Sequence, residues 1–116
     1  MKYLFLLYAD ETHMPAPGSP EMNQELEGYN AFYEEVSTAG VLQAGDPVQG
    51  SATSTTVRVR SGSTEAVKGP FAPEGNQVVG FYVLDCASAD DAVKYAAKIP
   101  AAHHGAVEVR PILSLG

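Results

Sequence analysis

The chain has 116 residues, of which 45% are hydrophobic, and a formal net charge of −7 at pH 7. This length and composition predict one folded globular domain, spanning residues 1–116, and argue against a disordered chain. The seven basic residues are scattered, so nucleic acid is not expected as a partner, because it is bound by clustered Lys and Arg.

The first predicted strand is KYLFLLY, residues 2–8. Both of its alternating faces are apolar or aromatic, which is typical of a strand covered on two sides. Its apolar stretch ends at Tyr8 and Ala9, with acidic residues directly after, and is too short for a secretory signal. No segment of the sequence reaches membrane-spanning length either. We therefore expect a cytoplasmic protein without a membrane partner.

Two helices are predicted. The first begins at Pro20 behind the capping residue Ser19, and Gly40 ends it. Its apolar stripe follows the three-to-four spacing of a helix and consists of Met22, Leu26, Tyr29, Phe32 or Tyr33, and Val36. The second begins with a capping box from Ser88 to Asp91 and is stopped by Pro100. Its inward side chains are predicted to be Ala92, Val93, Ala96 and Ile99.

Four further stretches are predicted to be extended. They are VLQAG (41–45), TTVRVR (55–60) with a short return strand EAV (65–67), VVGFYVLD (78–85) and AVEVRPIL (106–113). The segment 78–85 is again apolar on both faces, and its Gly80 marks a place where a neighbouring backbone or ring approaches closely. In the last strand Val107 and Val109 share one face, whereas Glu108 and Arg110 share the other.

The order strand, helix, strands, strand, helix, strand predicts a ferredoxin-like split β-α-β domain of the α+β class. In such a domain two helices cover one face of an antiparallel sheet. The first strand and the segment 78–85 are nevertheless apolar on both faces. We therefore predict that a second copy of the chain covers the other face, forming a two-fold homodimer in which sheet faces sheet.

Six segments, taken together, resemble the YCII-related family in its DGPF-domain branch. They are KYLFLLYADE, AGVLQAGDPVQ, TTVRV, GPFAPE, GFYVLD and IPAAHHGAVEVRPI, in that order over nearly the whole chain. The resemblance implies a dimeric α+β barrel, a bacterial origin and a largely uncharacterised function in which enzymatic activity is suspected. Some members of the family sit beside or are fused to sigma factors, but nothing in this sequence encodes such a partner.

The chain departs from the family pattern at two places. The motif that gives the branch its name begins with Asp, and Lys68 holds that position here. The polar, acidic stretch that usually follows is replaced by Pro73–Asn76. A shorter branch is similar to a design with a helix histidine paired to an Asp. Because Tyr29 holds the corresponding helix position, we do not carry that dyad over.

Three charged residues are candidates for binding a ligand. Glu108 and Arg110 are predicted to point towards the dimer interior, and Arg58 joins them if its strand has the matching register. Buried charges must be paired, so a structural Glu–Arg network is one interpretation. The other is a ligand anchor in which an Arg binds a small carboxylate and Tyr82 or Tyr29 supplies a hydroxyl.

The turn Gly69-Pro70-Phe71 introduces the segment 78–85. Gly69 permits a sharp reversal and Pro70 fixes φ, so Phe71 is presented as an apolar plug. Under one hypothesis Phe71 is a ligand-site residue, placed over the dimer seam or a pocket mouth with residues 72–77 as its lid. Under the other, the turn is a hairpin corner with a tucked Phe71.

The remaining reactive side chains are interpreted as structural. His13, His103 and His104 are expected to lie in surface loops, and Cys86 is expected to be a small packed residue. Asp10 and Glu11, directly after the first strand, are expected to be solvated loop acids. No metal and no other cofactor is predicted, since the three histidines and one cysteine lack ligand spacing.

Three functions remain open on the sequence alone. The first is a cofactor-free enzyme acting on a small polar or carboxylate-bearing molecule, and the second is a non-catalytic ligand-binding or regulatory dimer. The third is a structural or interaction dimer without a ligand. A cavity of about 300 Å³ or more favours the first two over the third.

Overall fold

A computed structural model describes residues 1–115. Its two helices are α1 (Pro20–Thr38) and α2 (Ala89–Ala96). Its strands are β1 (Lys2–Ala9), β2 (Leu42–Pro47), β3 (Thr55–Arg60), β4 (Ser63–Lys68), β5 (Gln77–Asp85) and β6 (Ala106–Pro111). Three single 3-10 turns occupy Glu11–His13, Ser51–Thr53 and Pro100–His103.

Strands β2, β5, β1 and β6 form one antiparallel sheet in that order. The central strand β1 pairs on one side with β5, where Leu6 lies opposite Phe81, and on the other with β6, where Leu6 lies opposite Glu108. This order is that of a ferredoxin-like domain, with β3 and β4 inserted between its second and third strands. The predicted α+β architecture is therefore confirmed.

The core lies between this sheet and the two helices. Alternate residues of β1, Tyr3, Phe5 and Leu7, are buried, and Phe32 of α1 is buried in the same cluster. The side chains that α2 and the turn after it add to this cluster are Ala92, Ala96 and Ile99. Both helices thus cover the same face of the sheet.

The helix ends follow the predicted capping chemistry. The Ser19 hydroxyl accepts a hydrogen bond from the Met22 N–H at 3.1 Å, and Ser88 does the same for Asp91. Gly40 adopts a φ of 75° after α1, a conformation that favours glycine. Helix α2, however, ends at Ala96 rather than at Pro100. The Lys98 and Ile99 N–H groups bond three residues back, and the chain tightens into the 3-10 turn that Pro100 begins.

Two side chains predicted to face inward do not. Leu26 is 51% exposed and Val93 is 59% exposed. Helix positions advance by about 100° per residue, so the buried stripe of Phe32 and Val36 is centred roughly 90° away from Leu26. Similarly, α2 packs through small residues at 92 and 96, and position 93 lies to one side. Between the two alternatives for the stripe, Phe32 is buried and Tyr33 is exposed.

Strands β3 and β4 form a separate two-stranded hairpin. Ser61 and Gly62 at its tip both have positive φ, which is the turn that suits the twist of a short hairpin. Arg58 lies opposite Glu65 in this hairpin. Arg58 was expected to join Glu108 and Arg110 only if its strand had the matching register. Within one chain it does not, because β3 and β6 belong to different sheets.

Neither of the two helices described above covers the second face of the four-stranded sheet. Its apolar side chains are half-buried and consist of Leu4, Leu6, Phe81 and Val83. We call these four residues the open face. Gly80 permits the close approach predicted for it, since a Cβ there would lie 3.2 Å from the Asp46 carbonyl oxygen. Within residues 1–115, no helix combines the length and apolar character needed to span a membrane.

Candidate functional site

An open cleft of about 710 Å³ lies where the hairpin leaves the body of the domain. Its walls come from the ends of β1 and β5, the 3-10 turn before β3 and the turn after β4. The residues that line it are Tyr8, Val48, Gln49, Ser51, Thr53, Ser54, Thr55, Thr56, Pro70, Phe71, Ala72, Asn76, Gln77 and Val78. We call this the hairpin-root cleft.

The lining of the hairpin-root cleft is uncharged. Each described residue in it is a hydroxyl, an amide or an apolar side chain. Hydroxyl and amide groups donate and accept hydrogen bonds without attracting either sign of charge. The cleft is therefore chemically suited to a neutral molecule with hydroxyl or carbonyl groups.

The Gly69-Pro70-Phe71 turn is fastened to the base of the hairpin. The Gly69 N–H donates to the Ser54 carbonyl at 2.7 Å, and the Thr56 hydroxyl donates to the Gly69 carbonyl at 2.8 Å. Gly69 has a φ of 114°, which only glycine adopts readily. These bonds explain how the turn presents Phe71 at the cleft.

Phe71 is 76% exposed, so the hypothesis of a tucked side chain at a hairpin corner is wrong. The Arg58 guanidinium carbon lies 5.2 Å from the centre of its ring, within the range of a cation–π contact. Gln77 holds the loop from Ala72 to Gln77 in place, because its side-chain amide donates a hydrogen bond to the Ala72 carbonyl at 2.9 Å. Phe71 thus lies at the cleft mouth as an ordered, solvent-facing aromatic ring.

Glu11 supports the floor of the cleft from behind. Its carboxylate accepts a hydrogen bond from the Ser51 N–H at 2.7 Å and a second from the Ser51 hydroxyl. The neighbouring Asp10 accepts hydrogen bonds from the Thr12 hydroxyl and N–H, and these bonds, followed by the one to His13, lower the pKa of Asp10 to about 2. Asp10 is solvated, as expected, and also fixes the backbone of the turn, whereas Glu11 is half-buried and binds Ser51.

Glu108 and Arg110 form an ion pair with each other on the open-face side of the sheet. Glu108 also accepts a hydrogen bond from the Tyr8 hydroxyl at 3.4 Å. Their side chains are 39% and 70% exposed in the single chain. Tyr8 is the residue that connects this pair to the hairpin-root cleft.

Tyr29 and Tyr82 lie on the opposite, helix-covered side. The Tyr82 ring packs edge-on against Phe32 at a centroid distance of 5.0 Å. Burial, followed by the negative charge of Glu25, raises the pKa of Tyr29 to about 12, and burial raises the pKa of Tyr82. Both tyrosines therefore pack against the core rather than facing the cleft.

The six candidate residues accordingly fall into three groups. Phe71, with Arg58 on its ring, belongs to the cleft, whereas Glu108 with Arg110 and Tyr29 with Tyr82 lie elsewhere. Ser51 and Gln77 were not found from the sequence. Ser51 is 40 residues from Glu11, its partner, and no local pattern joins them.

The histidines and the cysteine occupy the places expected of them. His103 contacts the Ala97 carbonyl, His104 pairs with Glu25 at 2.7 Å, and His13 pairs with Asp10 at 2.8 Å, all at the surface. Cys86 is 2% exposed, and burial raises the pKa of its thiol. In residues 1–115, no three His, Cys, Asp or Glu side chains are grouped to hold a metal ion.

A smaller groove of about 360 Å³ lies against α2. Lys98 forms an ion pair with Glu35 at 2.6 Å across it and lies 5.8 Å from the ring centre of Tyr95. The Lys98–Glu35 pair links α1 to the residues directly after α2.

Comparison with known proteins assigns the chain to a family. An uncharacterized protein of Rhizobium meliloti (strain 1021) is 32% identical over 114 residues, covering 97% of this chain and 92% of that protein. Among solved structures, the fold is similar to 5-chloro-2-hydroxyhydroquinone dehydrochlorinase (TftG) from Burkholderia phenoliruptrix AC1100 in complex with 2,5-dihydroxybenzoquinone. That match has a TM-score of 0.52 and 15% identity over 97% of this chain and 94% of the other. The model of the YCII-related domain matches residues 1–115, and the chain therefore belongs to the YCII-related domain family.

Proposed function

We propose that this chain binds a small, uncharged, hydroxylated molecule in the hairpin-root cleft, as a homodimer and without a cofactor. The observation that carries the proposal is the cleft lining, in which hydroxyl and amide side chains surround an exposed aromatic ring. A volume of about 710 Å³ lies well within the range of small-molecule sites. The cleft therefore favours a ligand-binding protein over an interaction dimer without a ligand.

The ligand is expected to contain a flat ring. Phe71 offers a ring to stack on, and a stacked pair of rings contributes about 1 kcal/mol beyond the area that it buries. The net charge of −7 repels anions at long range, and the cation nearest to Phe71, Arg58, contacts the ring and is not among the described residues that line the cleft. A carboxylate-bearing ligand is therefore less suited to this cleft than a neutral one.

The dimer is proposed from the surface that one chain leaves uncovered. The chain exposes 7730 Å², whereas a compact monomer of 12.2 kDa exposes about 6,100 Å². Its radius of gyration is 16.1 Å, against about 13 Å for a compact domain of this length. The surplus of roughly 1,600 Å² exceeds the ~800 Å² that each partner buries in a standard stable interface.

A cofactor-free enzyme is the second candidate, and Tyr8 favours it. Tyr8 lines the cleft, and its hydroxyl hydrogen-bonds the Glu108 carboxylate, an arrangement able to move a proton. TftG is a dehydrochlorinase by name and was solved with 2,5-dihydroxybenzoquinone, a hydroxylated six-membered ring. Release of chloride from 5-chloro-2-hydroxyhydroquinone by the wild-type chain, and loss of that release in Tyr8→Phe, would support this candidate. If the wild-type chain releases no chloride, the enzyme candidate is rejected and the binding function is the one that stands.

Titration followed by two-dimensional NMR tests the binding proposal, with hydroquinone as the neutral probe and benzoate as the charged one. We expect hydroquinone to move the amide resonances of Ser54, Phe71 and Gln77, and benzoate to bind more weakly. Phe71→Ala should weaken hydroquinone binding at least about fivefold, because the stacking surface is lost.

The matched control for that variant is Tyr33→Ala, which removes a 56% exposed aromatic ring from α1, away from the cleft. It should leave the affinity unchanged. Equal binding of both probes, or resonance shifts confined to other parts of the chain, would contradict the proposal.

A further inference from the structure

The β3–β4 hairpin has an apolar face that the rest of residues 1–115 leaves exposed. Val57 and Val59 are 59% and 58% exposed, and Ala66, which lies opposite Val57, is exposed beside them. We call these three residues the arm face. Every residue of β4 is exposed, so the hairpin has no core of its own.

The other face of the hairpin is differently built. Thr56 and Arg58 point to that side, where Thr56 binds the Gly69 carbonyl, Arg58 covers Phe71 and Glu65 lies across from Arg58. This face therefore contacts the Gly69-Pro70-Phe71 turn of its own domain through Thr56 and Arg58. Because alternate residues of a strand point to opposite sides, Val57 and Val59 point away from Thr56 and Arg58, and neither valine lines the cleft.

Two-stranded hairpins are marginally stable in water unless one face is packed. The β-branched residues at 57 and 59 favour a strand, yet they gain nothing from burial within one chain. Every residue of β4 is exposed, whereas the open-face residues are half-buried, so the hairpin is the less covered of the two surfaces.

We propose that the β3–β4 hairpin is a dimerisation arm whose face of Val57, Val59 and Ala66 packs against a second copy of the chain. This inference rests on the homodimer proposed above and adds the element that holds it. Two-fold symmetry buries both arms at once. The arm also carries Thr55 and Thr56, which line the hairpin-root cleft, and Arg58, which contacts the Phe71 ring. Docking of the arm therefore fixes both the cleft wall and the Arg58–Phe71 contact.

Sedimentation equilibrium over a range of concentrations tests the arm in the full chain. We expect the double variant Val57→Thr/Val59→Thr to weaken the dimer at least about tenfold, because Thr keeps the strand preference but replaces a buried methyl group by a hydroxyl. The matched control is Val67→Thr, which changes a 53% exposed valine on the other face of the same hairpin. It should leave the dimer dissociation constant unchanged.

Amide hydrogen exchange of the wild-type chain gives an independent measurement. Exchange across residues 55–68 should slow as the protein concentration rises through the dimer dissociation constant. Two results together would overturn the proposed role of the arm but not the dimer. They are an unchanged dimer dissociation constant in the double variant and hydrogen exchange in the wild-type hairpin that does not depend on concentration. A wild-type chain that stays monomeric would overturn both, without bearing on whether hydroquinone binds the cleft.

Discussion

Arg58 and Phe71 join the hairpin to the turn that follows it. The guanidinium carbon lies 5.2 Å from the ring centre, and 76% of Phe71 still faces solvent. One residue belongs to the extended arm and the other to the mouth of the cleft. Their contact therefore couples the position of the hairpin to the shape of the proposed binding site.

Arg58→Gln should loosen Phe71 without unfolding the protein. An exposed cation–π contact contributes about 0.5–1 kcal/mol, so we expect hydroquinone affinity to fall about threefold and the free energy of unfolding to fall by no more than about 1 kcal/mol. The matched control is Arg60→Gln, since the Arg60 side chain bonds only the neighbouring Val59 carbonyl. Calorimetric titration measures both variants, and an equal loss of affinity in the control would refute the coupling.

Glu11→Gln should destabilise the floor of the cleft. The charged carboxylate accepts two hydrogen bonds from Ser51, and a neutral amide accepts them less strongly. We expect a loss of about 1–2 kcal/mol in the free energy of unfolding. Glu34→Gln, on the exposed surface of α1, should change it by less than about 0.5 kcal/mol. Equal effects of the two substitutions in urea titrations would contradict this role of Glu11.

Gly105→Ala should be among the most damaging small substitutions. A Cβ at this position would lie 2.0 Å from the Tyr8 carbonyl oxygen, so β6 would have to move away from β1. We expect a loss of about 3 kcal/mol or more, measured by thermal unfolding. Gly50→Ala is the control, because its Cβ would meet only the end of Glu11 at 3.7 Å and its φ is −55°. A Gly105→Ala protein as stable as Gly50→Ala would show that β6 and β1 are not this close.

Tyr29→Phe should change how stability depends on alkaline pH. Folded Tyr29 keeps its proton up to a pKa of about 12, whereas the ordinary pKa of a tyrosine is 10.0. The contribution of protonated Tyr29 to the free energy of unfolding is therefore complete below pH 10 and is lost as the pH rises from 10 towards 12. We expect the wild-type chain to lose about 1 kcal/mol more than the variant over that interval, allowing for screening by solvent. Parallel stability curves for the two proteins would contradict the raised pKa.

Much of the fold could be predicted from local patterns. The caps at Ser19 and Ser88 and the two-sided apolar strands depend on neighbouring residues, and these patterns determined both helices and the central sheet. Val93 and the end of α2 could not be predicted in this way. How far a helix continues, and which side of it is buried, is decided by packing against the sheet.

The candidate site was harder to predict because its residues are distant in sequence. Phe71 was found, since the Gly69-Pro70 turn gives it a local signature. Tyr8, Ser51 and Gln77 come together only when the hairpin folds back beside the ends of β1 and β5. Glu108 and Arg110 were placed correctly on one face of β6, but the ion pair that they form had remained one of two interpretations.

The central claim is that the hairpin-root cleft takes a neutral, hydroxylated ring against Phe71. A crystal structure of the full chain soaked with hydroquinone tests it most directly. We predict density for the ring stacked on Phe71, with its hydroxyl groups within hydrogen-bonding distance of the Ser, Thr, Asn or Gln side chains of the lining. An empty cleft at a saturating soak, or a ring bound against α2 instead, would contradict the account.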